Sequence, residues 1–319
     1  MEPCIVITVR LATLADTSAI TEIHKSDVQR WERVSADGSL LPTPYEALSL
    51  YERWQHGGPW MTIEMCAVHL HRLLAGAGIP LVAEVDGEVL AEAEVYENFE
   101  AQPYGHYLDL SIIVTRSDHQ REGLGTALVN YIVDMARLMK CERVTVTNAL
   151  ARDFYLAHHF RHTRTVRGIR FPSQQGHVIY QATQLVDTSY DQIKGWHMPL
   201  GRYLSSRQEW DRMFPQQWAA GVPELMNIAA AQVKLSVAGQ NALIAVRDSD
   251  EVDSQLGDGR LVCWSAKTLT GPLLSAIRDW AFRNGYQQLV SLVIDSDLAL
   301  LPSDVQLTEY SQEFFELAI

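Results

Sequence analysis

The sequence predicts a mixed α/β protein in which short strands alternate with helices. Three observations favour this class. A strand is followed by a helix near the start of the chain, two strands flank Asp86-Gly87, and a glycine-rich loop leads from a strand into an amphipathic helix. Because 319 residues exceed the usual size of one compact domain, we expect two hydrophobic cores.

The first elements follow from short apolar runs and their boundary residues. Residues 5–10 predict a strand, and a helix begins near Asp16, whose carboxylate we expect to cap the amides of the first turn. Residues 45–54 and 61–74 favour helices, separated by Gly57, Gly58 and Pro59, which interrupt a helix.

A hairpin and a longer alternation of elements come next. Residues 81–85 and 89–95 predict strands joined by Asp86-Gly87, a dipeptide that readily adopts the positive φ angles of a two-residue turn. The following runs then predict strands and helices by their apolar spacing: strand 107–114, helix 123–139, strand 143–147, helix 151–158, and a closing strand pair of 160–171 with 177–185.

Residues 186–206 have little periodicity and favour a linker. We therefore predict one domain at residues 1–185 and a second at 186–319. Within the second we expect a helix at 206–218, a hairpin at 232–247 turning at Gly239, a strand at 260–265, a helix at 272–284 and a strand at 288–294. Gly125 lies 18 residues before Arg143 and Gly271 lies 17 before Gln288, which suggests a repeated unit.

Composition and charge exclude several classes of protein. The chain is 47% hydrophobic and 20% charged, as in soluble globular proteins. With 39 acidic against 26 basic residues the net charge is -13, which argues against nucleic acid as a partner. No apolar run approaches the ~20 residues of a membrane span. We expect a cytoplasmic monomer or homodimer without membrane attachment.

The cysteines and histidines do not predict a metal site. Cys4, Cys66, Cys141 and Cys263 lie far apart without a CxxC pair, so we expect reduced thiols. The histidines show no ligand spacing with carboxylates, and we expect no metal.

The most informative segment is residues 114–128, which runs from a strand through a glycine loop into a helix. The first amides of a helix lack internal partners and lie at its electropositive end, so such a loop favours a phosphate group. The dinucleotide fingerprint GxGxxG fails because Leu128 stands three residues after Gly125, and no Lys-Ser or Lys-Thr pair follows for an ATP-binding loop. What remains is the pattern Gln120-x-x-Gly123-x-Gly125.

This pattern resembles the loop that cradles the CoA pyrophosphate in the GNAT superfamily of acyl-CoA-dependent N-acetyltransferases. Residues 148–160 independently resemble the family pattern Asn-x-x-Ala-x-x-Phe-Tyr-x-x-x-Gly-Phe, with His159 in place of its glycine. The resemblance covers residues 5 to about 185. It implies a central mixed, largely antiparallel sheet flanked by helices, followed by a second, smaller, degenerate GNAT-like domain.

The resemblance also implies which residues bind acetyl-CoA, the expected cosubstrate. In the family the backbone of a splayed strand holds the pantetheine arm, the glycine loop holds the pyrophosphate, and an Asn bonds the arm. The matching residues are Ile112, Ile113, Val114, Gln120, Arg121, Glu122, Gly123, Leu124, Gly125, Thr126 and Asn148. Asn148 is equally suited to cap a helix, and Arg116 is a further candidate for the phosphates.

Two residues are candidates for acid–base catalysis. Tyr155 matches the family's general acid, and a phenol with a pKa of ~10 can donate a proton to a thiolate whose basicity resembles that of Cys, ~8.5. Asp109 lies within an apolar run, where burial would raise its pKa. The Glu that family members acting on protein N-termini place five residues before the matching Asn is Arg143 here, which counts against that activity.

Other charged residues have weaker interpretations. Glu92 and Glu94 share one strand face, which either points to solvent or lines an acidic cleft, and we expect solvent. The arginines that recur every third residue favour a solvated hairpin: Arg161, Arg164, Arg167 and Arg170.

The function expected from the resemblance is transfer of an acetyl group to a primary amine of a small molecule or peptide by direct attack on the thioester. The alternative is a catalytically inactive CoA-binding or regulatory module whose C-terminal domain binds a partner. The sequence leaves open whether that domain shapes the acceptor site or is only structural.

Overall fold

The computed structural model describes residues 6–35, 38–147, 149–214, 219, 222–226, 230–248 and 258–319. Its strands are β1 (Ile7–Leu11), β2 (Glu32–Val34), β3 (Leu40–Pro42), β4 (Ile79–Val85), β5 (Glu88–Phe99), β6 (His106–Thr115), β7 (Arg143–Thr147), β8 (Arg161–Pro172), β9 (Tyr180–Gln184), β10 (His197–Leu200), β11 (Ala230–Val237), β12 (Gln240–Asp248), β13 (Asp258–Ser265), β14 (Gln288–Ile294) and β15 (Gln306–Ala318). Its α-helices are α1 (Thr17–Lys25), α2 (Leu50–Gln55), α3 (Ile63–Arg72), α4 (Leu124–Leu138), α5 (Arg152–Ala157), α6 (Ser206–Arg212), α7 (Pro223–Met226) and α8 (Gly271–Arg283).

The chain forms two compact units, each assembled from separate segments. The first unit comprises Met1–Glu97, Leu110–Met139 and Pro215–Asn227, and the second comprises Asn98–Asp109, Lys140–Phe214 and Ile228–Ile319. Neither unit is a continuous half of the sequence. The boundary at residue 185 and the degenerate second GNAT-like domain stay predictions.

In the first unit, β4 pairs antiparallel with both β1 and β5. Asp86 and Gly87 have φ angles of 51° and 83°, so the predicted two-residue turn is confirmed. Apolar side chains of α1, α3, β4 and β5, together with Ala12 after β1, form a core beneath these strands: Ala12, Ile20, Ile23, Cys66, Leu70, Val82 and Val89. Burial of this apolar face is what fixes the two helices on the sheet.

The predicted cap of α1 is wrong. The Asp16 carboxylate accepts hydrogen bonds from the Thr13 amide at 2.7 Å and from both terminal nitrogens of Arg10 at 2.9 Å, and it caps no amide of α1. A bidentate guanidinium is a stronger partner than a neutral helix amide. The carboxylate therefore fastens β1 to the turn before α1.

The second unit contains a mixed, largely antiparallel sheet, as predicted. Parallel pairs are β6 with β7 and β13 with β14. The remaining neighbours are antiparallel: β7 with β15, β15 with β8, β8 with β14, β13 with β12 and with β10, β12 with β11, and β11 with β9. Each parallel pair is connected through a helix, α4 in one case and α8 in the other, which is the strand–helix–strand order that suggested a repeat.

The predicted pairing of residues 160–171 with 177–185 is wrong. β8 pairs with β14 and β15, whereas β9 pairs with β11. The strand β15, which was not predicted, lies between β7 and β8. Because β15 lies beside β8, the arginines of β8 do not form a solvated hairpin. Arg164 pairs with Glu316 of β15, and Arg167 pairs with Asp295.

Two apolar clusters stabilise the second unit. One lies between α8 and the strands β8 and β11–β14 and contains Ile169, Phe171, Ile277 and Leu289. The other surrounds Trp210 of α6 and Trp264 of β13, whose rings meet edge to face at 5.5 Å.

Cys66, Cys141 and Cys263 are buried free thiols, as expected, whereas Cys4 lies outside the described residues. Among the described helices, none has the length and apolar character required to cross a bilayer.

Candidate functional site

The glycine loop of the first unit begins after β6 and ends where α4 starts. It contains a short 3₁₀ turn at Ser117–His119, and Gly123 is the residue immediately before the helix. Gly123 has φ 91° and ψ -2°, a left-handed conformation that favours glycine. A Cβ at this position would lie 3.5 Å from Ile7 Cδ1, an ordinary contact, so the backbone angle rather than lack of space requires glycine.

The loop presents backbone N–H groups at the electropositive end of a 15-residue helix. The Ala127 amide donates to the Gly123 carbonyl at 2.9 Å at the start of α4. In general, the first amides of a helix lack acceptors within it. Arg121 also has a positive φ, 69°. Positive φ angles at positions 121 and 123 curve the backbone as in the concave anion sites formed by successive amides.

The side chains of the loop differ in what they can offer a ligand. Gln120, Arg121, Glu122 and Thr126 are exposed, whereas Leu124 is buried, so only the backbone of Leu124 can contribute. No ion pair of Arg121 occurs among the described residues. The Arg121 side chain is exposed, so its guanidinium is a candidate cation for a phosphate at this loop.

Arg116, in contrast, is engaged by carboxylates of the protein. Its Nη1 lies 2.5 Å from Glu88 and its Nε 2.8 Å from Asp118, and these hydrogen bonds raise the pKa of the guanidinium. Its main-chain amide donates to the Leu90 carbonyl at 2.9 Å. Arg116 thus anchors the start of the loop to the β4–β5 hairpin.

The predicted pantetheine-binding residues Ile112, Ile113 and Val114 lie on β6 and are half-buried. The register of β6 with β7 covers Tyr107–Arg143, Leu108–Val144 and Asp109–Thr145, and β6 continues to Thr115. Asn148 lies outside the described residues.

Tyr155, the predicted general acid, lies on α5 of the second unit and is 5% exposed. Its ring packs edge to face against Phe154 and Phe160 at 5.3 Å and 5.7 Å. Burial and the charge of Asp109 raise the pKa of Tyr155 to about 12. The phenol therefore carries its proton at neutral pH.

The turn after α5 keeps its usual form although His159 replaces glycine. His159 has a φ of 67°, the Phe160 amide donates to the Tyr155 carbonyl, and the His159 amide donates to that of Leu156, both at 3.1 Å. These are the two bonds of a Schellman motif. The substitution therefore adds backbone strain without changing how the helix carrying Tyr155 ends.

Asp109 lies on β6 in the second unit and is fully buried. Its Oδ1 accepts a hydrogen bond of 2.6 Å from the Thr145 hydroxyl, whereas Oδ2 has no partner among the described residues. Burial raises the pKa of Asp109 from 3.8 to about 7, with Thr145 and Arg202 acting in the opposite direction and Glu100 in the same one. The carboxyl can therefore exchange a proton near neutral pH.

A buried ion pair that the sequence analysis missed lies in the same unit. Arg202 binds Glu100 through both terminal nitrogens, with Nη1 at 2.9 Å from Oε1, and the Tyr107 hydroxyl donates to the same carboxylate. The Arg202 guanidinium lies 4.0 Å from the centre of the Tyr104 ring. No motif marks these residues, because 102 positions separate Arg202 from Glu100 in sequence.

Glu92 and Glu94 do not face solvent, so that expectation is wrong. Both side chains are buried in the first unit, where Glu92 binds His24, and Glu94 accepts hydrogen bonds of 2.8 Å from Trp60 and from His69. Burial raises the pKa of Glu92. Although burial opposes ionisation of Glu94 as well, its contact with His69 lowers the pKa of that carboxyl. The carboxylates connect helices to the sheet.

The described ranges contain no group of three or more His, Cys, Asp and Glu side chains arranged to hold a metal ion.

Several solved structures are similar to this chain in fold. A GCN5-related N-acetyltransferase from Kribbella flavida has a TM-score of 0.58 at 9% identity, covering 98% of this chain and 71% of its own. One from Anabaena variabilis has a TM-score of 0.57 at 9% identity, covering 98% and 72%, and Eis1 from Mycobacterium abscessus has 0.50 at 15%, covering 98% and 74%. Such identities show similarity of fold alone. The comparison with curated proteins found no match.

The similarity to a family comes from the sequence. Residues 41–160 match the model of the acetyltransferase (GNAT) family, and this segment includes the glycine loop, Asp109 and Tyr155. This match supports acetyl transfer as the general activity. Residues 41–160 of this chain are therefore similar to the GNAT acetyltransferase family.

Proposed function

We propose that the protein is an acetyl-CoA-dependent N-acetyltransferase that modifies a primary amine of a small molecule or peptide. The observation that carries the proposal is the left-handed Gly123 directly before α4. This geometry suits a pyrophosphate, and the segment around it matches an acetyltransferase family.

Binding of acetyl-CoA is assigned to backbone groups and one cation. The amides of residues 120–126 bind the pyrophosphate, and the exposed Arg121 adds charge neutralisation. The backbone of Ile112 to Val114 bonds the pantetheine arm and the thioester oxygen, and Asn148 is proposed to bond the arm. Fixed amides need little reorganisation as negative charge develops on that oxygen.

The reaction forms one C–N bond and breaks one C–S bond. The neutral amine attacks the thioester carbon, and the tetrahedral intermediate expels the CoA thiolate. Asp109, ionised above pH about 7, takes the proton lost by the amine nitrogen, and the Tyr155 hydroxyl donates a proton to the thiolate.

The acid and the base are coupled through charge. A phenol with a pKa of about 12 is a poor donor to a thiolate of basicity ~8.5. Since the negative charge of Asp109 helps to raise the pKa of Tyr155, protonation of Asp109 by the departing amine proton makes Tyr155 a stronger acid. The order is therefore uptake of the amine proton first and donation to sulfur second.

Calorimetry with acetyl-CoA, followed by measurement of free thiol released with a panel of amines, tests the proposal. We expect saturable binding and amine-dependent thiol release. Binding without release on any amine would instead support the CoA-binding regulatory module. Absence of binding would contradict both functions.

A further inference from the structure

We propose that Glu100 and Arg202 are positioning residues whose buried ion pair decides whether Asp109 accepts a proton at neutral pH. This inference deepens the proposed function and rests on it for its catalytic meaning. It assigns a role to Arg202, which lies outside the segment that matches the acetyltransferase family.

The ion pair is built into the fold of the second unit. The side chains of Glu100 and Arg202 are 0% and 2% exposed, so solvent screens neither charge. Two hydrogen bonds join them, and the Tyr107 hydroxyl binds the same carboxylate. Tyr107 precedes Asp109 by two positions on β6, so the two side chains share a face of that strand.

The position of Arg202 is fixed by the backbone before it. Gly201 has a φ of 89°, and a Cβ there would lie 2.7 Å from the Val262 Cα, which excludes any other residue. The Gly201 amide also donates to the Leu292 carbonyl at 2.8 Å. The strands β13 and β14 thus hold the backbone next to Arg202 in place.

The charged and titratable groups that act on Asp109 are few. Thr145 on β7 donates to Oδ1 of Asp109. The negative charge of Glu100 raises the pKa of Asp109, and the positive charge of Arg202 lowers it. The charge of Asp109 in turn raises the pKa of Tyr155 on α5. Oδ2 of Asp109 is buried and has no partner among the described residues, so no hydrogen bond at this oxygen fixes the protonation state of the carboxyl. Glu100 and Arg202 act in opposite directions on the pKa of Asp109.

Because the two charges are opposite in sign, neutralising Glu100 and neutralising Arg202 should shift the titration of Asp109 in opposite directions. Glu100→Gln leaves the positive charge of Arg202 uncompensated and should move the titration of Asp109 down by about one pH unit. Arg202→Gln leaves Glu100 uncompensated and should move it up by about one pH unit. The titration of the double variant should lie between those of the two single variants, and Arg202→Lys, which keeps the charge, should stay close to the starting value.

The titration is measured on the full chain with ¹³C-labelled aspartate carboxyl groups, and the Asp109 resonance is identified by its loss in Asp109→Asn. Asp279→Asn is the matched control, because Asp279 is also buried and bound by an arginine, Arg283, but does not act on Asp109. We expect this control to leave the titration unchanged.

Opposite shifts support the proposal, whereas equal shifts in one direction or none overturn it. If Arg202→Gln does not fold, a downward shift in Glu100→Gln supports the proposal and an unchanged titration overturns it. The acid limb of kcat/KM is recorded in parallel. If the titration of Asp109 shifts but the acid limb of kcat/KM does not, Asp109 is not the base. That result would leave the effect of the ion pair on Asp109 standing.

Discussion

The Thr145 hydroxyl donates to one oxygen of the buried Asp109 carboxyl, and the other oxygen has no partner among the described residues. Burial, only partly offset by this hydrogen bond, raises the pKa of Asp109 to about 7, well above the range of a surface aspartate. It also makes the stability of the protein depend on Asp109 in a definite direction.

Asp109→Asn should stabilise the protein above pH 7 and have little effect near pH 4. A carboxyl whose pKa rises from 3.8 to about 7 on folding favours the native state while protonated, and its ionisation costs up to about 4 kcal/mol as pH rises through that interval. Urea unfolding at pH 4 and pH 8 measures the difference. A gain in stability that is equal at both pH values would contradict this assignment.

Tyr155→Phe should lower kcat by about 10²-fold or more while leaving the Kd for acetyl-CoA unchanged, since it removes only the proton donor. Thiol release and calorimetry measure the two quantities. Tyr180→Phe, which removes a hydroxyl bonded to Asp279, is the control and should keep full activity. Loss of acetyl-CoA binding in Tyr155→Phe would argue for a packing role instead.

Gly123→Ala should weaken acetyl-CoA binding by about 10-fold, because the left-handed backbone at φ 91° becomes strained and the amides of the loop shift. Gly87→Ala imposes similar strain at φ 83° in the β4–β5 turn, where a Cβ would meet open space. Both variants should lose about 1 kcal/mol of stability. Equal affinity of the Gly123→Ala and Gly87→Ala variants for acetyl-CoA would contradict the assignment of the loop to the pyrophosphate.

His159→Gly should raise stability by about 1 kcal/mol, because glycine adopts the left-handed position of the Schellman motif without strain. Thermal unfolding measures the gain, and kcat should not change. His158→Gly is the contrasting variant: at a φ of -94° the neighbouring position gives glycine no such advantage, and stability should fall. A lower melting temperature for His159→Gly would show that its side chain is needed.

Phe315→Ala should destabilise the second unit by about 3–5 kcal/mol, since Phe315 is fully buried on β15 opposite Val146 of β7. Leu307→Ala on the same strand removes an exposed side chain and should change stability by less than about 0.5 kcal/mol. Chemical denaturation followed by circular dichroism compares the two. Similar small effects would mean that β15 contributes little.

The elements predicted most closely are those whose signal is local. The apolar spacing of α4 predicted its bounds to within one residue, and the β-branched runs of β7 and β14 predicted the bounds of those strands without error. Asp86-Gly87 predicted the two-residue turn. The glycine loop was found because the left-handed backbone at Gly123 favours glycine. These features depend on neighbouring residues alone.

What the sequence did not reveal depends on contacts between distant positions. β15 has alternating polar residues and was overlooked, and without it β8 was assigned the wrong partner, β9. Glu92 and Glu94 looked like solvent-facing carboxylates because their partners, His24 and His69, come from helices elsewhere in the chain. The Glu100–Arg202 pair is of the same kind.

The insertion of β15 between β7 and β8 has a consequence for biosynthesis. Arg143 and Glu316 are 173 positions apart yet bonded at 3.1 Å, so the ribosome releases β7 and β8 long before the strand that joins them exists. Until then, both strands expose unpaired edges that can capture other chains, and contacts of such long range close slowly. Cells that make this protein quickly should rely on chaperones to shield those edges.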